Sequence, residues 1–319
     1  MIKYTEIKQY KEKLMIDLHI HTTYSDGSLN LIEILKKAEE LKLTAISITD
    51  HETCEAYQEL ESIDVKKYYT GKIISGIELK TQYKDRVIDI LGYNIDYEKM
   101  MKYLKQAYGD LTKEKIQEIQ LERFYEYAKQ YGLKVNPIEE LKWDKKRDWA
   151  SVVFYEEIKK HEENKEKLPE DFWESFTNFR RKYYKNKGSA FYVNFSKYYP
   201  TLEKVVQIIH KAGGQVFIPH IYEYLWIENK IKELDEITNK YDIDGIECYH
   251  SIYTDEQIQL LLEFSKRKKL LISGGTDFHG KNKKDIELGT GRGNLQIPEK
   301  IIQNWKIRNM HKKENLLKI

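Results

Sequence analysis

The sequence predicts an α/β protein built on a mostly parallel sheet or barrel, interrupted by a helical insertion. Short β-branched runs alternate with amphipathic segments at both ends of the chain. A middle stretch rich in Lys, Glu, Tyr and Trp has helical periodicity and no strand signal. Polar residues recur at the C-terminal ends of the predicted strands. The expected division is a barrel-type domain from 1–98 and 190–319, with a helical lobe at 99–189 between its two parts.

The elements follow in order. "LMIDLHI" (14–20) has strand composition. "NLIEILKKAEELKL" (30–43) has apolar residues at helical spacing, and Asn30 followed three residues later by Glu33 has the pattern of a capping box. "TAISITD" (44–50), "KIISGIEL" (72–79) and "RVIDILGY" (86–93) read as further strands. Strands separated by helices imply parallel βαβ units. After the insertion the alternation resumes with a helix at 201–214 and strands in "QVFIPH" and "DGIECYH". A helix in "TDEQIQLLLEFSKRKK" and a strand in "LLISGGTDFHG" complete it. Gly213 and Gly214 stand where a helix C-terminus and a tight turn need them.

Composition narrows the function classes. The chain has 319 residues, 40% of them hydrophobic, enough for a substantial core. Its 54 basic and 52 acidic residues nearly cancel, so no global charge drives it to nucleic acid or to a membrane. Two cysteines, Cys54 and Cys248, do not make a disulfide framework. The N-terminus lacks the apolar run of a signal peptide, and no stretch approaches the ~20 apolar residues of a membrane span. These features make the cytoplasm the expected compartment and leave the oligomeric state open.

The strand ends carry the chemistry. "DLHIHTTYSDGS" (17–28) places His19 and His21 two residues apart, so both point to one face of a strand and can grip one ion. Asp277 and His279 repeat that spacing near the other end of the chain. A single His-x-His is common and decides little. Five of nine histidines (His19, His21, His51, His220 and His279) fall at predicted strand ends, together with Asp50, Glu78, Glu247 and Asp277. In barrels and open parallel sheets that edge builds the active site. Imidazole with carboxylate suits Zn, Mn and Fe, whereas Mg prefers oxygen ligands. His161, His210 and His311 sit among lysines and glutamates on predicted helices and read as surface residues.

"DLHIHTTYSDGS", "ITDHET", "GIELKT", "VIDILGYNID", "AGGQVFIPH", "DGIECYH" and "SGGTDFHG" occur in the order seen in the PHP (polymerase and histidinol phosphatase) superfamily. The chain resembles that group over about 15–98 and 188–319, and within it is most similar to stand-alone phosphoesterases of nucleotides and RNA 5′ ends. The resemblance implies a distorted seven-stranded (β/α) barrel holding two or three divalent metal ions (Mn, Fe or Zn, with Mg also compatible). It implies one ion held by His19, His21, Glu78 and Asp277, and another by Asp26, His51 and His279. A middle ion would be bridged by Glu78 and bound by His220 and Asp89. The family usually has histidine where Asp89 stands, so this ion is expected to be a harder one, or weakly held. "FIPH" followed by Ile221 also departs from the usual His-Pro.

The implied reaction is hydrolysis of phosphate monoesters by a metal-activated hydroxide, with Glu78, Asp50 and His279 as catalytic candidates. Nucleoside mono- or bisphosphates are the expected substrates. Exonucleolytic cleavage of short RNA or DNA from its 5′ end is the alternative, and a non-catalytic metal-binding assembly domain is a third. Substrate contacts are expected from Arg147, Arg180, Arg181 and His250. The stretch 179–199 holds six basic and eight aromatic residues with no acid, which suits phosphates and stacked bases. Because Lys and Tyr abound throughout the chain, a solvated face with buried tyrosines reads equally well there.

Overall fold

A computed structural model describes residues 15–109, 111–145, 148–293 and 295–305. The N-terminal stretch read for targeting signals and the candidate Arg147 lie outside the described residues, as does His311.

Among the described residues, eight strands form two sheets. β1 (Met15–Ile20), β2 (Leu43–Ile48) and β3 (Lys72–Ile73) make a parallel three-stranded sheet. β4 (Gly76–Tyr83), β5 (Arg86–Tyr93), β6 (Gln215–Ile218), β7 (Gly245–His250) and β8 (Leu271–Gly275) make a five-stranded sheet in that order. Single bridges tie the sheets together: Ile20 pairs with Phe278 beyond β8, and His51 beyond β2 pairs with Glu78 on β4.

Two strand expectations change. The stretch 72–79 is not one strand but two, because the backbone switches partner in its middle. The Ile74 amide donates to Ile46 of β2, whereas the Ser75 carbonyl accepts from Asn94 beyond β5. The β4–β5 and β5–β6 pairs are antiparallel. Between β4 and β5 lie only Lys84 and Asp85, and so short a connection cannot return the chain in parallel.

The helices cover the strands. Asn30 caps α1 (Leu31–Glu40) in a full capping box with Glu33. α1, α2 (Glu55–Ser62) and α3 (Tyr97–Tyr108) bury Ile34, Leu35, Tyr57, Met100 and Leu104 in the largest apolar cluster. The insertion follows with α4 (Lys113–Gln130), α5 (Ala150–Lys159) and the short α6 (Glu170–Glu174) and α7 (Phe176–Asn178). It closes around its own cluster of Leu121, Phe124, Phe154, Phe172, Phe179 and Phe191. α8 (Leu202–Lys211), α9 (Lys230–Lys240) and α10 (Asp255–Lys268) return to the main cluster through Val205, Ile209, Leu234 and Phe264. A second cluster joins Ile16, Leu18, Tyr93 and Phe217 to Trp305. Cys54 and Cys248 are free and buried. Among the described residues no helix is long and apolar enough to cross a membrane.

Close backbone approach sets the site. A Cβ on Gly275 would stand 2.2 Å from His19 Cβ, so only glycine lets β8 lie against the His19 backbone. A Cβ on Gly27 would meet the His21 carbonyl at 2.2 Å, which keeps the loop after β1 folded over its strand.

Candidate metal centre

His19 and His21 alternate with Leu18 and Ile20, and the aliphatic side chains hold both rings in the interior. Asp17 anchors the strand end: it accepts from the Thr276 amide and hydroxyl at 2.9 and 2.6 Å and from the Gly289 amide at 2.9 Å. The loop after β1 turns back on itself, bringing Asp26 under the rings. Asp50 holds that loop, accepting from the Thr22 amide and hydroxyl (both 2.7 Å) and from the Ser25 hydroxyl. Both Asp50 oxygens are thus engaged with the loop rather than with an imidazole. The backbone is left-handed at Asp277 (φ +57°) and at His220 (φ +22°), a conformation uncommon for residues with a side chain.

Among the described residues, three groups of potential ion-binding residues result: His19, His21, Glu78 and Asp277; His21, Asp26, His51 and His279; and His51, Glu78 and Asp89. Glu78 lies between them. Its Oε2 is 3.3 Å from His19 Nε2, 3.2 Å from His21 Nε2 and 3.4 Å from His51 Nδ1, while Oε1 pairs with His220 Nε2 at 2.8 Å. Asp277 Oδ1 faces His19 and His21 at 3.6 and 3.4 Å. His279 Nε2 faces Asp26 at 3.3 Å, and its Nδ1 donates to the Asp277 carbonyl at 2.9 Å. Asp89 groups with His51 and Glu78 rather than with His220.

The donors fit metal ions. His19 Nε2, His21 Nε2, His220 Nδ1, His250 Nε2 and Asp89 Oδ1 are buried with no hydrogen-bond partner. Buried polar atoms are costly unless something satisfies them. Lone-pair atoms converging without hydrogen-bond geometry suit a shared cation, and the donor set of imidazole and carboxylate is that of Zn, Mn or Fe.

Electrostatics divide the imidazoles. Burial disfavours the charged form of His21 and His220. The adjacent carboxylates of Asp277 and Glu78 at His21, and the hydrogen bond from His220 to Glu78, outweigh it and raise both to about 9. His19 is likewise held well above its ordinary range, burial being overcome by Glu78, Glu247 and Asp277. Burial and the Lys80 ammonium push His51 well below its usual value, and burial with His21 lowers His279. Burial pushes the carboxyls of Glu78 and Asp26 up, yet the adjacent imidazoles hold both well below the carboxylate range.

Other candidates stand further out. His250 Nε2 lies 3.6 Å from Asp277 Oδ2, at the edge of the first group. Arg180 and Arg181 are exposed on the insertion, and neither pairs directly with the centre. Of the basic-aromatic stretch, Phe179 and Phe191 are lobe core, with Tyr183 and Tyr184 packed against it. Tyr192, Lys197 and Tyr198 instead line an open cavity of about 580 Å³ with Arg123 and Tyr127.

Three residues carry roles that the sequence did not assign them. Glu247 accepts from His19 Nδ1 at 2.9 Å and from the His220 amide at 2.8 Å, fixing the ring so that Nε2 points inward. Its place at a strand end was the available signal. Lys80 sits two residues beyond Glu78 on one strand face, a spacing legible in "GIELK". Lys283 pairs with Asp277 Oδ2 across a loop, and no spacing announces it.

Comparison with known proteins agrees with this geometry. The profile of the PHP domain matches residues 17–248. The chain is 25% identical over 298 residues to a 5′-3′ exoribonuclease of Haemophilus influenzae, covering 91% of this chain and 97% of that one. It is 23% identical over 270 residues to a phosphoribosyl 1,2-cyclic phosphate 1,2-diphosphodiesterase of Eggerthella lenta, covering 83% and 94%. Among solved structures, one described as a metal-dependent phosphoesterase from Bifidobacterium adolescentis superposes with a TM-score of 0.63 at 20% identity, over 91% of this chain and 94% of that one. A chain whose matched segment carries clustered imidazoles and carboxylates at its strand ends belongs to the PHP domain family of metal-dependent phosphoesterases.

Proposed function

We propose that this protein hydrolyses phosphoesters of nucleotidic substrates and that short 5′-phosphorylated RNA, shortened from its 5′ end, is preferred. The observation that carries the reading is the buried, unpartnered donor set around Glu78, in a chain similar to an exoribonuclease along nearly that protein's whole length. The centre lies at the mouth of a distorted seven-stranded barrel of β1, β2 and β4–β8. The bridges Ile20–Phe278 and His51–Glu78, which join the two sheets, support that ring. The separate aromatic cluster of the insertion supports a lobe within the expected 99–189 beside a barrel of 1–98 and 190–319. α3, however, packs in the main cluster through Met100 and Leu104, which favours a lobe that starts at α4, and Phe191 joins the lobe's cluster.

His19, His21, Glu78 and Asp277 would hold one divalent ion, and His21, Asp26, His51 and His279 another, with Mn, Fe or Zn the fitting metals. Such ions acidify a water and neutralise phosphate oxygens. Glu78 keeps the two groups in register through its contacts to His19, His21 and His51, with His220 on its other oxygen. Asp50 acts through the loop it holds. His279, with Nδ1 committed to a carbonyl, keeps Nε2 turned toward Asp26 for an ion or a leaving oxygen. Lys283, His250 and, from the insertion, Arg180 and Arg181 are offered to the substrate phosphate, and Arg147 joins them on its sequence context alone. The cavity lined by Tyr192, Tyr198, Arg123 and Lys197 suits the bases and phosphates of a longer strand.

The test sets AMP, a nucleoside 3′,5′-bisphosphate and a 5′-phosphorylated oligoribonucleotide side by side with Mn²⁺. The oligonucleotide is expected to be consumed fastest, losing nucleotides from the 5′ end and not from a 5′-hydroxyl copy. Faster turnover of the two mononucleotides would transfer the assignment to a nucleotide phosphatase. The depth of the centre favours that second reading, since Glu78 is 1% and Asp277 4% exposed. Full metal loading with no turnover of any of them would leave an assembly domain.

A further inference from the structure

One positive charge in the centre is covalently tethered. Lys80 follows Glu78 by two residues on β4, so both side chains leave the same face of the strand. The antiparallel register sets Asp89 of β5 directly opposite Lys80, and the pairing fixes their side chains as neighbours. Lys80 Nζ stands 3.0 Å from His51 Nδ1 and 3.9 Å from Asp89 Oδ1. His51 and Asp89 are two of the three members of the third ion-binding group, the other being Glu78.

The remaining valences of that group are turned elsewhere. His51 Nε2 faces Asp26 Oδ2 at 3.8 Å, on the side of the second group. Asp89 Oδ2 accepts from the Tyr224 hydroxyl at 3.2 Å, and that hydroxyl in turn accepts from the Asp89 amide at 2.8 Å. Asp89 Oδ1 is buried without a hydrogen bond and has the ammonium as its counter-charge. An ammonium has donors and no lone pair, so Lys80 can fill a cation's place and cannot ligate one. A divalent ion coordinated by His51 Nδ1 and Asp89 Oδ1 would stand against Nζ, and like charges at that range exclude each other.

We propose that Lys80 replaces the third divalent ion with a tethered ammonium, so that this chain holds two metal ions where three binding groups exist. The ammonium then supplies the third positive charge toward substrate phosphate. The inference rests on the metal-centre reading above and adds a stoichiometry to it. It also accounts for Asp89: a carboxylate opposite a lysine completes an ion pair, which an imidazole in that position would not.

The experiment is metal content per chain by mass spectrometry after equilibration with excess Mn²⁺ and desalting, for the wild type and Lys80→Met. Two ions are expected in the wild type and three in Lys80→Met. Equal counts in the two folded proteins, or three ions in the wild type, overturn the inference while leaving the metal centre standing. No retained ion in the wild type overturns both. Circular dichroism establishes that Lys80→Met is folded. If it is not, manganese anomalous scattering from wild-type crystals decides: two peaks support the proposal, and a third peak between His51 and Asp89 overturns it.

Discussion

Two interiors lie side by side in this chain, and they are filled by opposite chemistry. In the insertion lobe, Phe124, Phe154, Phe172, Phe179 and Phe191 pack ring on ring, with Phe124 and Phe154 stacked at 4.8 Å. At the strand ends, rings are as close (His21 to His279 at 4.1 Å, His21 to His51 at 4.7 Å), but they are imidazoles facing carboxylates. Burying the phenyl rings stabilises the fold. Burying the charged set costs free energy that only good pairing or a bound cation recovers. The interior of the insertion is therefore one that folding alone accounts for, whereas the strand-end cluster is one that folding alone does not.

The sharpest way to break that comparison is to truncate each interior in turn. Asp277→Ala and His19→Ala should each lower phosphoesterase activity by more than about 100-fold, beyond what supporting residues of metal sites cost, and should reduce bound metal. If activity and metal content both survive, the centre is misassigned. Phe154→Ala should instead cost about 3–5 kcal/mol in denaturant unfolding of the lobe, while Mn²⁺ bound per folded chain stays constant. Loss of metal from that variant would mean that the two interiors are not independent.

Smaller effects test the supports. Glu247→Gln should weaken metal affinity by roughly 10–100-fold, because His19 loses the carboxylate that orients it, with little change in unfolding free energy. The pH dependence of the metal-free protein follows from His21 and His220, both raised to about 9. A raised folded-state pKa gives stability that is complete below the unfolded value of about 6.5 and lost as pH rises through about 9. Thermal unfolding in chelator should therefore fall in Tm across that window. Mn²⁺ affinity should rise over the same window, as protons cease to compete. The smallest change is expected from Lys197→Ala at the open cavity: under about 0.5 kcal/mol in stability, with weaker binding of the oligonucleotide and unaltered turnover of AMP.

The parts of the fold legible in the sequence are those in which neighbours along the chain settle the outcome. Asn30 and Glu33 announce their capping box, and the helices after 200 announce themselves by period. The β4–β5 hairpin was less legible. "KIISGIEL" reads as one β-branched run, and nothing in its spacing says that residue 74 serves one sheet and residue 75 the other. The site divides in the same way. His19 and His21 declare themselves because alternation at the end of β1 puts them on one face; Asp277 and His279 repeat that spacing, but they lie beyond β8 where the backbone is left-handed at Asp277. Lys283 on Asp277 and Glu247 under His19 are contacts across loops and strands, which carry no period.

By itself, the sequence determined the alternating strands and helices, the helical insertion, and a supply of imidazoles and carboxylates at strand ends. Those follow from periodicity and residue chemistry, both local. Only the tertiary structure decided that Glu78 meets four imidazoles at once, and that Asp50 holds a loop instead of a ring. It also decided that Asp89 shares its place with the ammonium of Lys80. Each of these depends on strand register and on the close approach that Gly275 permits, and register is set where distant segments pack together.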